Sequence, residues 1–463
     1  MNRRTTAAEI AELAPNLNLI GEKWQPAASG GTFDDHNPAN TDELLGSYPR
    51  SSAADVDAAV AAAGAAFKSW SAVPAPQRGQ VLRRCAQVLS ERKEEIARLM
   101  AREMGKVLSE ARGDVQEAID CANVYAGKGR FLAGQTLPSE LSDKFAMTVR
   151  RPVGVCGLIT PWNFPVAIPS WKIFPALLCG NTVVLKPAED TPGCAAAFVK
   201  ALLDAGVPHG AVNLVQGIGE EAGAALVAHK DVALISFTGS SQVGSMIAGQ
   251  CGQALKRCAL EMGGKNAQIV MADANLDLAL EGALWGAFAT AGQRCTATSR
   301  LLLQKNIYKP FIKRRAKAAQ ELRLGDPLDA KTQIGPMIND QQRERVYGYV
   351  RLGVEEGARL LCGGKPATGR GLSRGFFFEP TLFIDVDAKM RIAQEEIFGP
   401  VLAVIPFEKY EQAAEILNAT PYGLSSSIYT QDVNLALRGI RDFEAGITYV
   451  NGPTIGAEVH LPF

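Results

Sequence analysis

Apolar positions recur with a helical period in the first quarter of the chain and as short continuous runs after it. Ser52 precedes ADVDAAVAAAGAAFKSW, with Asp55 three residues on, so a capping box opening an Ala-rich helix is predicted there. A second helix follows: Pro76 suits its first turn, and Val81, Leu82, Cys85, Val88, Leu89, Ile96, Leu99 and Met100 keep one helical spacing. A third is expected from Leu108 to Ala126, and all three read as packing elements. From Gly134 to Val149 the text turns to Pro, Ser and short alternating stretches, which predict a small β excursion.

After it come compact apolar runs, VGVCGLI (153–159), NTVVLKP (181–187), AVNLVQG (211–217) and ALISFTG (233–239), separated by helix-like segments such as 192–205 and 219–229. Buried strands alternating with helices predict right-handed βαβ units and a parallel sheet. A second round starts at Asn266 with AQIVMAD and DLALEGALWGAFATAG, and continues with SRLLLQ (299–304), FFFEPTLFID (376–385) and VLAVIPF (401–407). The fold class is therefore α/β, two α/β domains plus the excursion.

At 463 residues and 47% hydrophobic, the chain is too long for one core. Forty-eight basic residues balance forty-eight acidic ones, which disfavours nucleic acid and anionic membranes and leaves a small molecule as the expected partner. No run approaches the roughly 20 apolar residues of a membrane span, and the start lacks the apolar stretch of a secretory signal, so a cytoplasmic location is expected. The nine scattered cysteines contain no C-x-x-C pair and read as reduced thiols; Cys156 and Cys179, inside apolar runs, read as core residues. Four histidines without metal-like spacing place a metal enzyme or a Ser-His-Asp hydrolase at a disadvantage.

Five places concentrate the candidate chemistry. Thr160-Pro161-Trp162-Asn163-Phe164-Pro165 ends a predicted strand, where open α/β sheets place ligands; Asn163 is either a hydrogen-bond donor to a ligand or a helix cap at a Pro-fixed corner. Lys186-Pro187-Ala188-Glu189 ends another strand and is either a holder of ribose hydroxyls or a solvated loop. Phe237-Thr238-Gly239-Ser240-Ser241-Gln242-Val243-Gly244 is a strand and a glycine-framed turn that can aim N–H groups at a pyrophosphate. Gly217-Ile218-Gly219 comes nearer to G-x-G-x-x-G but lacks its third glycine and reads as a plain turn. Glu261 beside Gly263 and Gly264 is a mobile general base or a surface turn, and Cys295 in Gly292-Gln293-Arg294-Cys295-Thr296 is a nucleophile or a buried structural thiol.

Taken in order, P-W-N-F-P, K-P-A-E, F-T-G-S-x-x-x-G, E-M-G-G-K-N and G-Q-R-C, followed by Glu395-Glu396-Ile397-Phe398-Gly399-Pro400 and Asn418-Ala419-Thr420-Pro421-Tyr422-Gly423-Leu424, resemble the aldehyde dehydrogenase superfamily over nearly the whole chain. The resemblance implies a Rossmann-like NAD(P)-binding domain (1–130 and 152–260), an oligomerisation excursion (131–151), a catalytic domain (261–450) and a terminal segment (451–463). It implies Cys295 as the nucleophile that forms a thiohemiacetal and then a thioester, Asn163 as oxyanion donor and Glu261 as the base that activates water. Thr160, Trp162, Lys186, Glu189, Gly239, Ser240, Gly244, Glu396 and Phe398 match cofactor positions. Phe164, Ala167, Ile168, Trp171 and Phe288 match the substrate tunnel. Arg294 lowers the thiol pKa, or meets a substrate carboxylate, or points away.

G-Q-R-C-T-A-T-S-R is similar to semialdehyde-oxidising branches, so the expected activity is oxidation of an aldehyde, of the carboxylate-bearing semialdehyde class, by a homodimer or homotetramer. The expected cofactor is NAD, with NADP as the alternative. A CoA-acylating relative or a non-catalytic protein on the same fold is the competing reading. The family continues past Pro462-Phe463 with a last strand that joins a neighbouring subunit's sheet; either that tail lies outside this sequence or the protein is truncated, and only in the latter case is an unpaired edge expected.

Overall fold

The backbone N–H of Ser52 donates to the Asp55 carboxylate at 2.9 Å, so the first long helix (Ala53–Ala72) starts where the capping pattern puts it. The single long helix expected after it is two, Ala75–Glu91 and Lys93–Glu103. Arg92 leaves helical geometry (φ −97°, ψ 6°) while its guanidinium pairs with Asp204 at 2.7 Å, a break that spacing alone does not register because both pieces bury the same stripe. The third helix is Leu108–Lys128. The computed structural model describes residues 13–369, 371–456 and 458–462, and the chain divides into two units.

Unit 1 comprises 1–36, 44–103 and 111–261. Its strands are β1 (Asn18–Ile20), β2 (Lys23–Gln25), β3 (Thr32–His36), β4 (Leu44–Pro49), β5 (Thr136–Leu137), β6 (Ala146–Met147), β7 (Val155–Ile159), β8 (Thr182–Lys186), β9 (Val212–Leu214), β10 (Val232–Thr238) and β11 (Arg257–Glu261). Seven of them form a sheet in the order β11-β10-β7-β8-β9-β1-β2, parallel from β11 to β9, and β3 pairs separately with β4. Every residue of β8 is buried, as a central strand covered on both faces requires. On one face Val184 and Ile235 pack against Val56, Val60, Leu226 and Ile247. The helices Ala167–Leu178 and Pro192–Asp204 also belong to this unit, with Phe174 edge-on to Phe198 at 5.9 Å. The excursion is the two-residue pair β5–β6, antiparallel and exposed. The short hairpin strands β1–β4 carry no periodic signal and went unpredicted. Cys179 is not a core residue: it follows the last residue of Ala167–Leu178, where the chain turns outward, and is exposed.

Unit 2 comprises 37–43, 104–110 and 262–463. Its strands β12 (Ala267–Val270), β13 (Arg300–Gln304), β14 (Arg359–Cys362), β15 (Thr381–Ile384), β16 (Val401–Phe407), β17 (Ser425–Tyr429) and β18 (Ile447–Val450) form a sheet in the order β14-β15-β16-β13-β12-β17-β18, antiparallel only at β14–β15. The run 376–385 supplies only β15: Pro380 has no N–H for a ladder, and Phe377 and Phe378 go into the core. β17 was missed because Ser425-Ser426-Ser427 does not look buried. Its hydroxyls are satisfied by Thr454 O (2.9 Å), by Thr448 Oγ1 (2.9 Å) and by Gly452 O, so a serine run fills an interior strand.

Candidate functional site

Parallel pairing brings sequence-distant residues to one sheet edge. Ile159 is in register with Lys186 and with Phe237, and Thr238 with Glu261. Thr160, Lys186, Thr238 and Glu261 thus close four neighbouring strands, and the Thr160 N–H donates to Lys186 O and the Gly239 N–H to Glu261 O. This is the carboxyl edge at which open α/β sheets bind ligands. Lys186, almost fully buried, pairs with Glu189 at 3.1 Å. Gly219 and Gly223 lie against the Lys186 side chain, so these glycines leave room for the lysine. A Cβ on Gly239 would stand 2.4 Å from the Phe237 ring, which explains glycine there. Ser240 caps the helix Ser241–Gln253, its Oγ accepting from Val243 N–H, and Gly244 is buried in that helix's first turn.

These residues fit a dinucleotide. The helix start offers N–H groups to a pyrophosphate, and the Lys186–Glu189 pair suits ribose hydroxyls. Among the described residues the buried hydroxyls of Thr160 and Thr238 have no hydrogen-bond partner, which suits a site for a polar ligand.

Beyond β7, Asn163 is 3% exposed in the bend before Ala167–Leu178, a helix anchored by the Ala167 N–H donating to Asp114. Trp162, Phe164 and Trp171 are half-buried, and Ala167 and Ile168 fully buried. Burial raises the Glu261 carboxyl above the ordinary carboxylate range, and the ammonium of Lys172 opposes that rise. Lys172 itself, bonded to Ser236 Oγ at 3.0 Å, is pushed down to about 8 by burial, with Glu261 pulling the other way. It escaped the sequence reading; a lone lysine inside the apolar run AIPSWKIFPALL was the available signal.

Unit 2 holds Cys295, Arg294, Glu396, Phe398 and Phe288. Cys295 is half-buried and follows a turn in which Thr290, Ala291 and Gly292 are all left-handed. A Cβ on Gly292 would stand 2.2 Å from Gly399 O, and one on Gly264 2.5 Å from Cys295 O. Asn266, also missed, donates from Nδ2 to Cys295 O (2.7 Å) and Ala297 O (2.9 Å). Gly263 leaves space for the Glu396 carboxylate, whose Oε1 accepts from Gly264 N–H at 3.0 Å and whose pKa is raised by burial. Phe398 is left-handed (φ 61°), its carbonyl held by Gln342. Phe288 is packed in the core, with the Arg315 guanidinium 4.6 Å over its ring. Among the described residues no group of His, Cys, Asp or Glu could hold a metal ion.

The aldehyde dehydrogenase family model matches residues 24–463. The chain is 41% identical to the α-ketoglutaric semialdehyde dehydrogenase of Bacillus subtilis, over 98% of this chain and 93% of that one. It is 40% identical to the α-ketoglutarate semialdehyde dehydrogenase of Haloferax volcanii, over 97% and 93%. Betaine aldehyde dehydrogenase of Staphylococcus aureus, solved with NAD+ and a mercaptoethanol-modified cysteine, superposes with a TM-score of 0.94 at 35% identity, covering 96% of this chain and 90% of that one. The chain belongs to the aldehyde dehydrogenase family, NAD-dependent enzymes that oxidise an aldehyde to the carboxylic acid.

Proposed function

We propose that the aldehyde is a carboxylate-bearing semialdehyde, and that Cys295, Asn163 and Glu261 carry the chemistry. The observation behind the substrate class is the 41% and 40% identity, over nearly the full length of both chains, to two relatives named for α-ketoglutarate semialdehyde. In this reading the Cys295 thiolate attacks the aldehyde carbon, and the side-chain amide of Asn163 and the Cys295 N–H donate to the oxygen that becomes negative. NAD, when bound, accepts the hydride and its electron pair, which leaves an acyl thioester on Cys295. Glu261 then takes a proton from water as the water attacks that thioester, and the Cys295 thiolate departs from the free acid. Thr160, Trp162, Lys186, Glu189, Gly239, Ser240, Gly244, Glu396 and Phe398 are the residues assigned to the cofactor.

A panel of short aliphatic, aromatic and carboxylate-bearing aldehydes, followed by NADH formation, tests the substrate class. The highest kcat/KM is expected with a semialdehyde; a higher value with a neutral aliphatic aldehyde overturns it. We also propose a homodimer or homotetramer, because the β5–β6 hairpin and the segments flanking it expose Phe131 (80%), Phe145 (74%), Met147 (63%) and Val149 (67%), an apolar set that water does not favour. Light scattering of the purified enzyme should give at least twice the chain mass, and a monomer refutes this. The cytoplasmic assignment is supported by nine free cysteines and is tested by cell fractionation.

A further inference from the structure

Beneath the nucleophile turn lies a charged cluster that none of the steps above uses. Glu110 is 1% exposed at its side chain, and it stands 180 residues from Thr290 in sequence. Its Oε2 accepts from the Thr290 N–H at 2.8 Å and from the Thr290 hydroxyl at 2.6 Å, and lies 3.5 Å from the Arg294 guanidinium. The same hydroxyl accepts from Arg294 Nε at 2.9 Å, and the guanidinium sits 5.6 Å over the Trp285 ring. The segment that brings Glu110 is itself fixed within unit 2: the Leu108 N–H donates to Pro327 O at 3.1 Å, and the left-handed Gly105 (φ 81°) abuts Pro336.

What this cluster grips is backbone that the chain would not choose. Thr290 (φ 54°, ψ 32°) and Ala291 (φ 53°, ψ 34°) are left-handed, and a β-branched residue in that region is a marked outlier. Such geometry persists only when its surroundings over-determine it. Thr290 meets that condition, with N–H and hydroxyl both held by one carboxylate, five residues before Cys295.

We propose that Glu110 is a positioning residue for Cys295: it holds the left-handed Thr290–Ala291 pair and anchors Arg294, and so fixes where the nucleophile leaves the turn. The inference rests on Cys295 being that nucleophile. It gives Arg294 a different task from meeting a substrate carboxylate, because its charge is answered inside the protein by Glu110.

The test uses the full-length enzyme with NAD and the best aldehyde of the panel, reading the rapid burst of NADH. Iodoacetamide labelling with mass spectrometry comes first: if Cys295 is unlabelled in the inactivated enzyme, the nucleophile assignment fails independently of Glu110. Glu110→Ala should slow the burst by roughly 10- to 100-fold with KM for NAD unchanged, as a small misplacement of a reacting atom does. Glu110→Gln, which keeps an acceptor for Thr290, should stay within a few-fold of the parent. Adding Ala291→Gly to Glu110→Ala should recover at least part of the loss, since glycine adopts the left-handed geometry without penalty. A burst in Glu110→Ala within two-fold of the parent overturns the proposal. So does a Glu110→Gln variant as slow as Glu110→Ala, or a double variant no faster than the single one. If Glu110→Ala does not fold, Thr290→Val decides: it keeps the shape and loses the hydroxyl, and an unaltered burst overturns the proposal.

Discussion

The sheet edge that ends in Thr160, Lys186, Thr238 and Glu261 and the turn that carries Cys295 place functional groups by opposite means. At the edge, backbone ladders do the work: four strands in parallel register end together, and each residue takes its place because its strand does. At the turn, no ladder exists. Three consecutive left-handed residues are held by side chains, Glu110 on Thr290, Gln293 on Pro336 O and Ile338 N–H, and Asn266 on Cys295 O. The edge should therefore tolerate change in its neighbours, and the turn should not.

The largest effect expected is at Cys295. Cys295→Ala should bind NAD and form no NADH, whereas Ser at Cys85, Cys156, Cys194 or Cys362, each buried, should alter stability and leave turnover. Substantial aldehyde oxidation by Cys295→Ala would remove the covalent route. Next, Glu261→Gln should give one equivalent of NADH per site in a burst and a steady rate lower by about 10² to 10⁴, with the acyl group trapped on the protein and visible by mass. Absence of the burst would place Glu261 at thiol deprotonation instead. An unaltered steady rate would favour transfer to coenzyme A over hydrolysis.

The glycines of the two regions give the direct comparison. Gly292→Ala must place a Cβ against Gly399 O at φ 70°, with no flexible atom to move. Left-handed strain of about 1–2 kcal/mol plus overpacking of about 1–3 kcal/mol should lower the melting temperature by several degrees and the burst rate by at least roughly ten-fold. Gly223→Ala meets only the Lys186 chain at 3.5 Å, an ordinary contact, and should leave kcat/KM within about two-fold. Equal losses at both positions would erase the distinction.

The same contrast explains what could be read from the sequence. The edge was partly legible because buried strands announce themselves as apolar runs, so Lys186 and Thr238 each marked the end of one, whereas Glu261 ends the largely exposed β11, which no apolar run announced. Its neighbours were not: Lys172 reaches Glu261 from a helix, a relation that depends on how the helix lies on the sheet. At the turn, Gly292 and Cys295 stood out as residue types, but Asn266 and Glu110 did not. Their roles come from contacts across 29 and 180 residues that no local period encodes. Serine-rich β17 failed for a related reason, since its burial depends on partners supplied from 448 to 454.

A smaller effect concerns pH. Glu261 works as a base only when ionised, and burial raises its pKa, so deacylation should fall as pH drops through that raised value. The charge on Lys172 holds the rise in check. Lys172→Met should therefore move the acid limb of kcat to higher pH, while a limb that stays in place would sever the link between the two groups.

The smallest expected effect is at Glu189, and it probes the edge where it is most open. The carboxylate is 37% exposed and paired with buried Lys186, so it can receive a ribose hydroxyl but repels a 2′-phosphate through a partly screened like-charge contact. NAD should be preferred over NADP by a modest factor. Glu189→Gln removes the repulsion and keeps the length, so KM for NADP should fall several-fold while KM for NAD changes little and the burst rate not at all. An unchanged NAD to NADP ratio in this variant would show that selection lies elsewhere along the edge. A slowed burst would show that cofactor edge and nucleophile turn are coupled, which is the one result that would dissolve the comparison between them.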